Sequence, residues 1–251
     1  SLTSATYGGG IFSAGEFIAK YSTISGNVAC PNAGCAGSGG GVVSHGGASI
    51  GNSTISGNTA RSNVGGVSLT SFSATPPSAT IGNSTISGNR AVSGSVGGVY
   101  AQVPLTVTNS TIAFNLAASG SRAAGLSIRA QYSSIAATLN SVLLSDNAFG
   151  STPAANDFGT SALSSATVAV TGAGNLIFAS ASGAVLPSGG GLVSACPLLG
   201  PLRDNGGSTK THQLLSGSPA VDVGNDTSTA TGAHYDQRGT GFPRSLGINP
   251  D

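Results

Sequence analysis

The chain has no methionine and no tryptophan, and only 17 of its 251 residues are charged. That is 7%, against about 25% in ordinary globular domains. With a formal net charge of +1, it offers no basic surface for nucleic acid and no polybasic patch for a membrane. No apolar run approaches the ~18 residues of a transmembrane helix. Apolar residues nowhere recur at i, i+3, i+4 and i+7 over ten positions, so amphipathic helices are not expected. Aromatics are 5%, too sparse for a β-propeller, which needs four strands per ~40–45 residues. What abounds is Gly and Ser, 40 of each. A disordered linker could share that bias, but 39% of the residues are hydrophobic and are spread along the whole chain. An ordered, nearly uncharged repeat protein fits better.

The repeat is explicit. Ser-Thr-Ile-Ser-Gly-Asn occurs at Ser22 to Asn27, Ser53 to Asn58 and Ser84 to Asn89. Degenerate copies run from Ser110 to Asn115 and from Ser141 to Asn147. The closing asparagines are spaced 31, 31, 26 and 32 residues apart. A second mark precedes each copy: Gly10-Ile11, Gly41-Val42, Gly66-Val67, Gly98-Val99 and Gly125-Leu126. Apolar and polar residues alternate over short stretches, which is the strand period. Identical short strands at a fixed period stack directly as a parallel β-helix, one rung per ~4.8 Å. The expectation is an all-β, right-handed parallel β-helix of about six coils over residues 1–195. An irregular C-terminal segment, residues 196–251, is expected to cap the last coil.

The rung chemistry follows from the alternation. Ile24, Ile55, Ile86, Ile112 and Leu143 are expected to form one inward aliphatic column. Thr23, Thr54, Thr85 and Thr111 then point outward, with Ser25, Ser56 and Ser87 on the same face. The closing asparagines are expected at turns, where left-handed backbone is tolerated and stacked amides bond along the axis. The glycines before Val42, Val67 and Val99 would relieve crowding at another corner. Length differences between coils fall between the Gly-hydrophobic mark and the column residue, so insertions gather on one side of the solenoid.

The Gly-Gly-hydrophobic marks with Phe-x-x-Asn-like closures (Phe114 occupies the Phe position once) resemble the repeats of chlamydial polymorphic outer-membrane proteins, which are β-helical surface adhesins. The C-terminal quarter is more specific. It contains Cys196-Pro197-Leu198-Leu199-Gly200-Pro201, Asp204-Asn205-Gly206-Gly207, Thr211-His212, Gly217-Ser218-Pro219-Ala220 and Asp236-Gln237-Arg238-Gly239. This resembles the end of the choice-of-anchor Q β-helix proteins of bacteria, which are secreted or surface-exposed. Cys196 departs from that pattern, which usually has an acidic residue there. The resemblance implies export from a longer, processed precursor and an extracellular or cell-surface location, with no general catalytic assignment.

Cys30 and Cys35 bracket four residues between the first and second coils, and a local disulfide is expected there. Two cysteines without further ligands are a poor metal site. Cys196 is left over, as a buried small residue or an intermolecular partner, with burial favoured. Gly47-Ala48-Ser49-Ile50-Gly51 matches a serine-hydrolase pattern, but Ser49 sits at a repeat position and lacks the strand–turn–helix context. Polysaccharide-cleaving solenoids need paired carboxylates or an Asp with calcium and a base. The first 145 residues hold one acid, Glu16, against five bases, a net of +4. The remainder holds seven acids against four bases, a net of −3. Asp222, Asp226 and Asp236 could gather near His212 and His234, and a structural role pairing them with Arg238 and Arg244 is the expectation. No catalytic residue, metal or cofactor is therefore assigned. If sequence position maps onto axial position, the rod is positive at one end and negative at the other, which suggests head-to-tail self-association. The functional expectation is a non-enzymatic surface or fibre protein, acting by self-association or as an adhesin with a cell-surface or glycan partner. The rival is a polysaccharide-binding or polysaccharide-degrading β-helix, recognisable by a carboxylate-lined cleft or stacked aromatics.

Overall fold

In the computed structural model the described residues are 8–30, 37–118, 122–150, 156–225 and 234–244. They form a parallel β-solenoid without a helix. The Gly-hydrophobic marks begin the strands of the first face: Ile11–Ser13, Val42–Ser44, Val67–Leu69, Val99–Ala101, Leu126–Ala130 and Phe158–Ala162. The second face carries the repeat hexapeptide, for example Thr54–Ser56 after Ala48–Gly51. In the fourth and fifth coils these pairs fuse into Leu105–Ala113 and Ile135–Ser145. Two-residue strands, from Val28–Ala29 to Ala148–Phe149, form the third face. The result is five full coils and a sixth that runs through Asn175–Ile177, on which one further short strand, Gly191–Val193, stacks in parallel.

Register is strict because each coil repeats the one before. Ile24, Ile55, Ile86 and Ile112 stand directly above one another and are buried. The column then passes to Leu144 and Ile177, not to Leu143. Counting back three residues from the closing Asn147 gives Leu144, as it gives Ile55 from Asn58. Leu143 instead continues the outward threonine column and pairs with Thr111 and Leu176. The insertions do fall in one place, with residues 70–78 joining the first face to the second in the third coil.

The closing asparagines form the expected amide ladder. Each Nδ2 donates to the Oδ1 one coil on: Asn27 to Asn58, Asn58 to Asn89 and Asn89 to Asn115 at 2.9 Å, then Asn115 to Asn147 at 2.8 Å. The second Nδ2 hydrogen goes backward, as from Asn58 to the Ile24 carbonyl at 2.9 Å. Each Oδ1 also accepts a backbone N–H, as Asn89 does from Asn58 at 3.0 Å. The left-handed residue at this corner is the one before, however: Gly26, Gly57, Gly88, Phe114 or Asp146. An earlier corner is left-handed at Asn52, Asn83 and Asn109, each just before its Ser-Thr pair, and at Ser141 in the fifth coil. There a serine ladder runs beside the corner, with backbone N–H of Ser22, Ser53 and Ser84 donating to the next serine Oγ at 3.1–3.2 Å.

The two repeat marks touch each other across the coil. A Cβ on Gly98 would lie 2.4 Å from the Gly125 carbonyl oxygen and 3.1 Å from Asn115 Nδ2. Any side chain there would push the first face off the amide ladder. That contact is the physical reason why Gly-hydrophobic and closing Asn recur together.

The segment after Cys196 does not act as an end cap alone. It doubles back along the second face, and its hydrogen bonds reach Ser53, Thr54, Thr85 and Ser87 in the second and third coils. Its charged residues, including Asp236, Arg238 and Arg244, therefore lie beside the body. The expected axial charge polarity does not hold, because sequence position and axial position part company after the sixth coil. Cys30 is disulfide-bonded, and its expected partner Cys35 lies outside the described residues. Cys196 is an exposed free thiol, not a buried one.

Candidate functional site

The seam between the outward columns and the returning segment gathers most of the unusual chemistry. The threonine and serine column points away from the coil interior, as the alternation requires. It is nonetheless covered: Thr54 is 0%, Thr85 2% and Ser87 3% exposed. A hydroxyl taken from water needs a partner, and the returning segment supplies one for each. Gln237 is the central clamp. Its Oε1 accepts from Thr85 Oγ1 at 2.7 Å, and its Nε2 donates to Thr54 Oγ1 at 2.9 Å and Thr209 Oγ1 at 2.8 Å. Thr54 Oγ1 in turn donates to the Lys210 carbonyl at 2.6 Å.

The tail motifs identify one another through contact. Asp236 and Arg238 flank Gln237 and form an ion pair at 2.6 Å, which closes the turn that aims Gln237 at the body. Arg238 also lies over the Phe242 ring, 4.1 Å from its centroid. A Cβ on Gly207 would stand 2.6 Å from Arg238 Cα. Asp204-Asn205-Gly206-Gly207 and Asp236-Gln237-Arg238-Gly239 are thus two halves of one packed unit. Ser218 of Gly217-Ser218-Pro219-Ala220 donates to the Pro197 carbonyl at 2.5 Å, which ties a third motif to the Cys196-Pro197 entry.

His212 joins the seam to the third coil. Its Nδ1 lies 2.7 Å from the Gly200 carbonyl, so this nitrogen carries the hydrogen. Nε2 is then an acceptor and takes the Ser87 hydroxyl at 2.8 Å. Burial holds the imidazole below its ordinary range and favours the neutral form. A serine hydroxyl on an oriented histidine is the start of a nucleophilic pair, but Ser87 is buried and Gly200 supplies a carbonyl where a triad has a carboxylate. The pair acts as a peg that holds the segment to the column.

Asp236 pairs with Arg238 but not with Arg244, and Asp226 lies outside the described residues. Among the described residues no three of His, Cys, Asp and Glu come close enough to hold a metal. Ser49 lies within the strand Ala48–Gly51, in register with Ile18 and Thr80, and not on an elbow.

Three residues take roles that the sequence does not announce. Arg244 is 5% exposed, hydrogen-bonds through its terminal nitrogen to Asn83 Oδ1, and has its pKa lowered to about 10 by burial. Asp157 ends the amide ladder. Its Oδ1 accepts from Asn147 Nδ2 at 2.7 Å and from Asn147 N–H at 2.8 Å, while Oδ2 accepts from Ala179 N–H at 2.9 Å. Burial pushes its carboxyl up to about 6. Ten residues separate it from Asn147, far from the ~30-residue period, so periodicity could not find it. Gln237 belongs to a motif, but nothing in the motif says which column it grips.

Outside the seam, Phe12, His45 and Phe72 form an edge-to-face row with centroids 5.3 Å apart at each step. Phe12 is 47% and Phe72 76% exposed.

Gln237→Ala removes the clamp while leaving the coils intact. The buried hydroxyls of Thr54, Thr85 and Thr209 lose their shared partner, a loss of about 2–4 kcal/mol in docking of the segment. Trypsin should then cut at Lys210 or Arg238 at least tenfold faster, with the strand signal in circular dichroism unchanged. Equal cleavage rates would show that the clamp does not hold the segment.

Comparison with family models, with curated proteins and with solved structures gives no match.

Proposed function

We propose that the chain is a rigid, non-enzymatic rod of an exported bacterial surface or extracellular protein, working by self-association or adhesion. The observation that carries this reading is where the body's polar groups go. The buried side chains of Asn58, Ser84 and Thr54, for example, bond to a neighbouring coil or to the returning segment. Such a body resists deformation and presents little for acid–base chemistry, having one carboxylate, Glu16, in its first 145 residues. The disulfide at Cys30 suits an oxidising compartment. The tail motifs, which resemble those of choice-of-anchor Q proteins, support the same location.

The first coil supplies a surface for self-association. Ile11–Ser13, Phe17–Lys20, Thr23–Ser25 and Val28–Ala29 each end their sheet at the first coil among the described residues. Around them Ile18 is 60% and Tyr21 63% exposed. Strand edges that end a sheet pair with further strands, of a preceding segment or of a second copy, and a heterologous contact between copies propagates into a filament. Negative-stain imaging and light scattering across concentration and salt test this. End-to-end rods that revert to single particles in Ile18→Lys are expected. Isolated monomers under all conditions would defeat self-association.

A glycan-binding reading is the alternative, favoured by the aromatic row of Phe12, His45 and Phe72, in which both phenyl rings are exposed.

A further inference from the structure

The end of the rod opposite the first coil is closed by the chain just before Cys196. Its path is fixed by bonds to the sixth coil. Ala181 N–H donates to the Phe158 carbonyl at 2.8 Å, Val185 N–H to Thr160 Oγ1 at 2.8 Å and Ser188 N–H to the Val170 carbonyl at 3.2 Å. The segment thus crosses the end of the core, where Ala184 packs against it. Gly191–Val193 then stacks on Asn175–Ile177 as a last layer.

Solenoids keep such an end soluble with a polar, often charged, capping layer. This end has none. Residues 158–202 contain no charged residue. Val185 is 44%, Leu186 38% and Val193 48% exposed. Val193 is in register with Ile177 and so continues the column of Ile24, Ile55, Ile86, Ile112, Leu144 and Ile177. Every earlier member of that column is buried. Val193 is not, because among the described residues Gly191–Val193 pairs on one side only.

The backbone at the two ends is complementary. On this face N–H groups donate back to the preceding coil: Thr54 to the Ser22 carbonyl at 2.9 Å, Phe178 to Leu144 at 2.9 Å and Ser194 to Ile177 at 3.1 Å. By the same register the Val193 carbonyl points out of the last layer. Ser25, which follows Ile24 as Ser194 follows Val193, points its N–H out of the first coil. One more step along the axis, about 4.8 Å, would therefore set the first coil of another molecule on this layer with its strands parallel and its column unbroken.

We propose that the last layer, centred on Val193 and Leu186, is the docking surface for the first coil of a second copy of this chain. Ile24 of that copy covers Val193, and its Ser25 N–H donates to the Val193 carbonyl. The proposal rests on the self-association reading and supplies the opposite half of its contact. The contact is heterologous and open, so it repeats without closing.

Sedimentation velocity of the full chain tests it, with Val193→Lys set beside Ile18→Lys. Val193→Lys should raise the concentration needed for assembly at least tenfold. Val193→Ile should leave it unchanged. Val193 is half exposed, so the melting temperature of the lysine variant should match the parent; Leu186→Lys is a second variant with the same expected effect. The two lysine variants at Val193 and Ile18 should each be monomeric alone. Mixed, they should form one-to-one dimers and nothing longer, because one keeps a working first coil and the other a working last layer. A parent that stays monomeric defeats the self-association reading itself. A parent that assembles while Val193→Lys and Leu186→Lys assemble equally well, or while the mixture stays monomeric, overturns only the assignment of this surface.

Discussion

Asn89→Ala should remove about 3–6 kcal/mol of stability, a large share of the 5–15 kcal/mol typical of a folded domain. Asn89 is 0% exposed and sits in the middle of the ladder. The change deletes its Nδ2 bonds to Asn115 Oδ1 and to the Ile55 carbonyl. It also strips Asn58 of the acceptor for both its backbone N–H and its Nδ2. Two donors are then left unpaired beside the close-packed backbone at Gly66. Denaturant unfolding would check this through a lower midpoint at an unchanged slope. A loss under 1 kcal/mol would mean that the ladder is a consequence of the stacking and contributes little to it.

The second large effect is a dependence on pH centred on Asp157. Burial is the chief cause of its raised pKa, and the hydrogen bonds from Asn147 and Ala179 oppose it without cancelling it. The folded carboxyl titrates at about 6, against an ordinary 3.8. A group raised in the folded state binds its proton more tightly there than in the unfolded chain. Its contribution is thus fully present below about pH 3.8 and lost as the pH rises through 6. The difference amounts to about 3 kcal/mol. Asp157→Asn keeps an oxygen for Asn147 but turns an NH₂ toward the Ala179 N–H, donor against donor. The variant should be less stable than the parent near pH 4 and close to it above pH 7. Unfolding midpoints of both proteins from pH 4 to 8 isolate this group, because other titrations are shared. Parallel curves would refute the assignment.

The first five coils were legible because the chain states each rung five times. Strand period, core column and the need for glycine opposite the ladder all follow from local chemistry repeated in register. The misplacement of the column at Leu143 came from a degenerate copy, in which Leu143 and Leu144 are chemically alike and only the distance to Asn147 separates them. The left-handed residue lies one position before the expected asparagine for a related reason. Asn suits left-handed backbone in general, yet Gly26, Gly57 and Gly88 take that conformation here and leave the asparagine side chains free to stack.

What the sequence could not determine is where its non-repeating quarter lies. A hydroxyl-rich outward face looks the same on paper whether it meets water or a folded-back chain. Only the tertiary structure covers that face, because Gln237 and His212 offer the acceptors and donors that Thr54, Thr85 and Ser87 lose on burial. That long-range pairing also cancels the axial charge polarity and brings Arg244 over Asn83. The scarcity of charge determined that the body is a stacked, hydroxyl- and amide-bonded rod. The returning segment decided where its few charges stand, since partners 150 and more residues apart meet only when the chain doubles back.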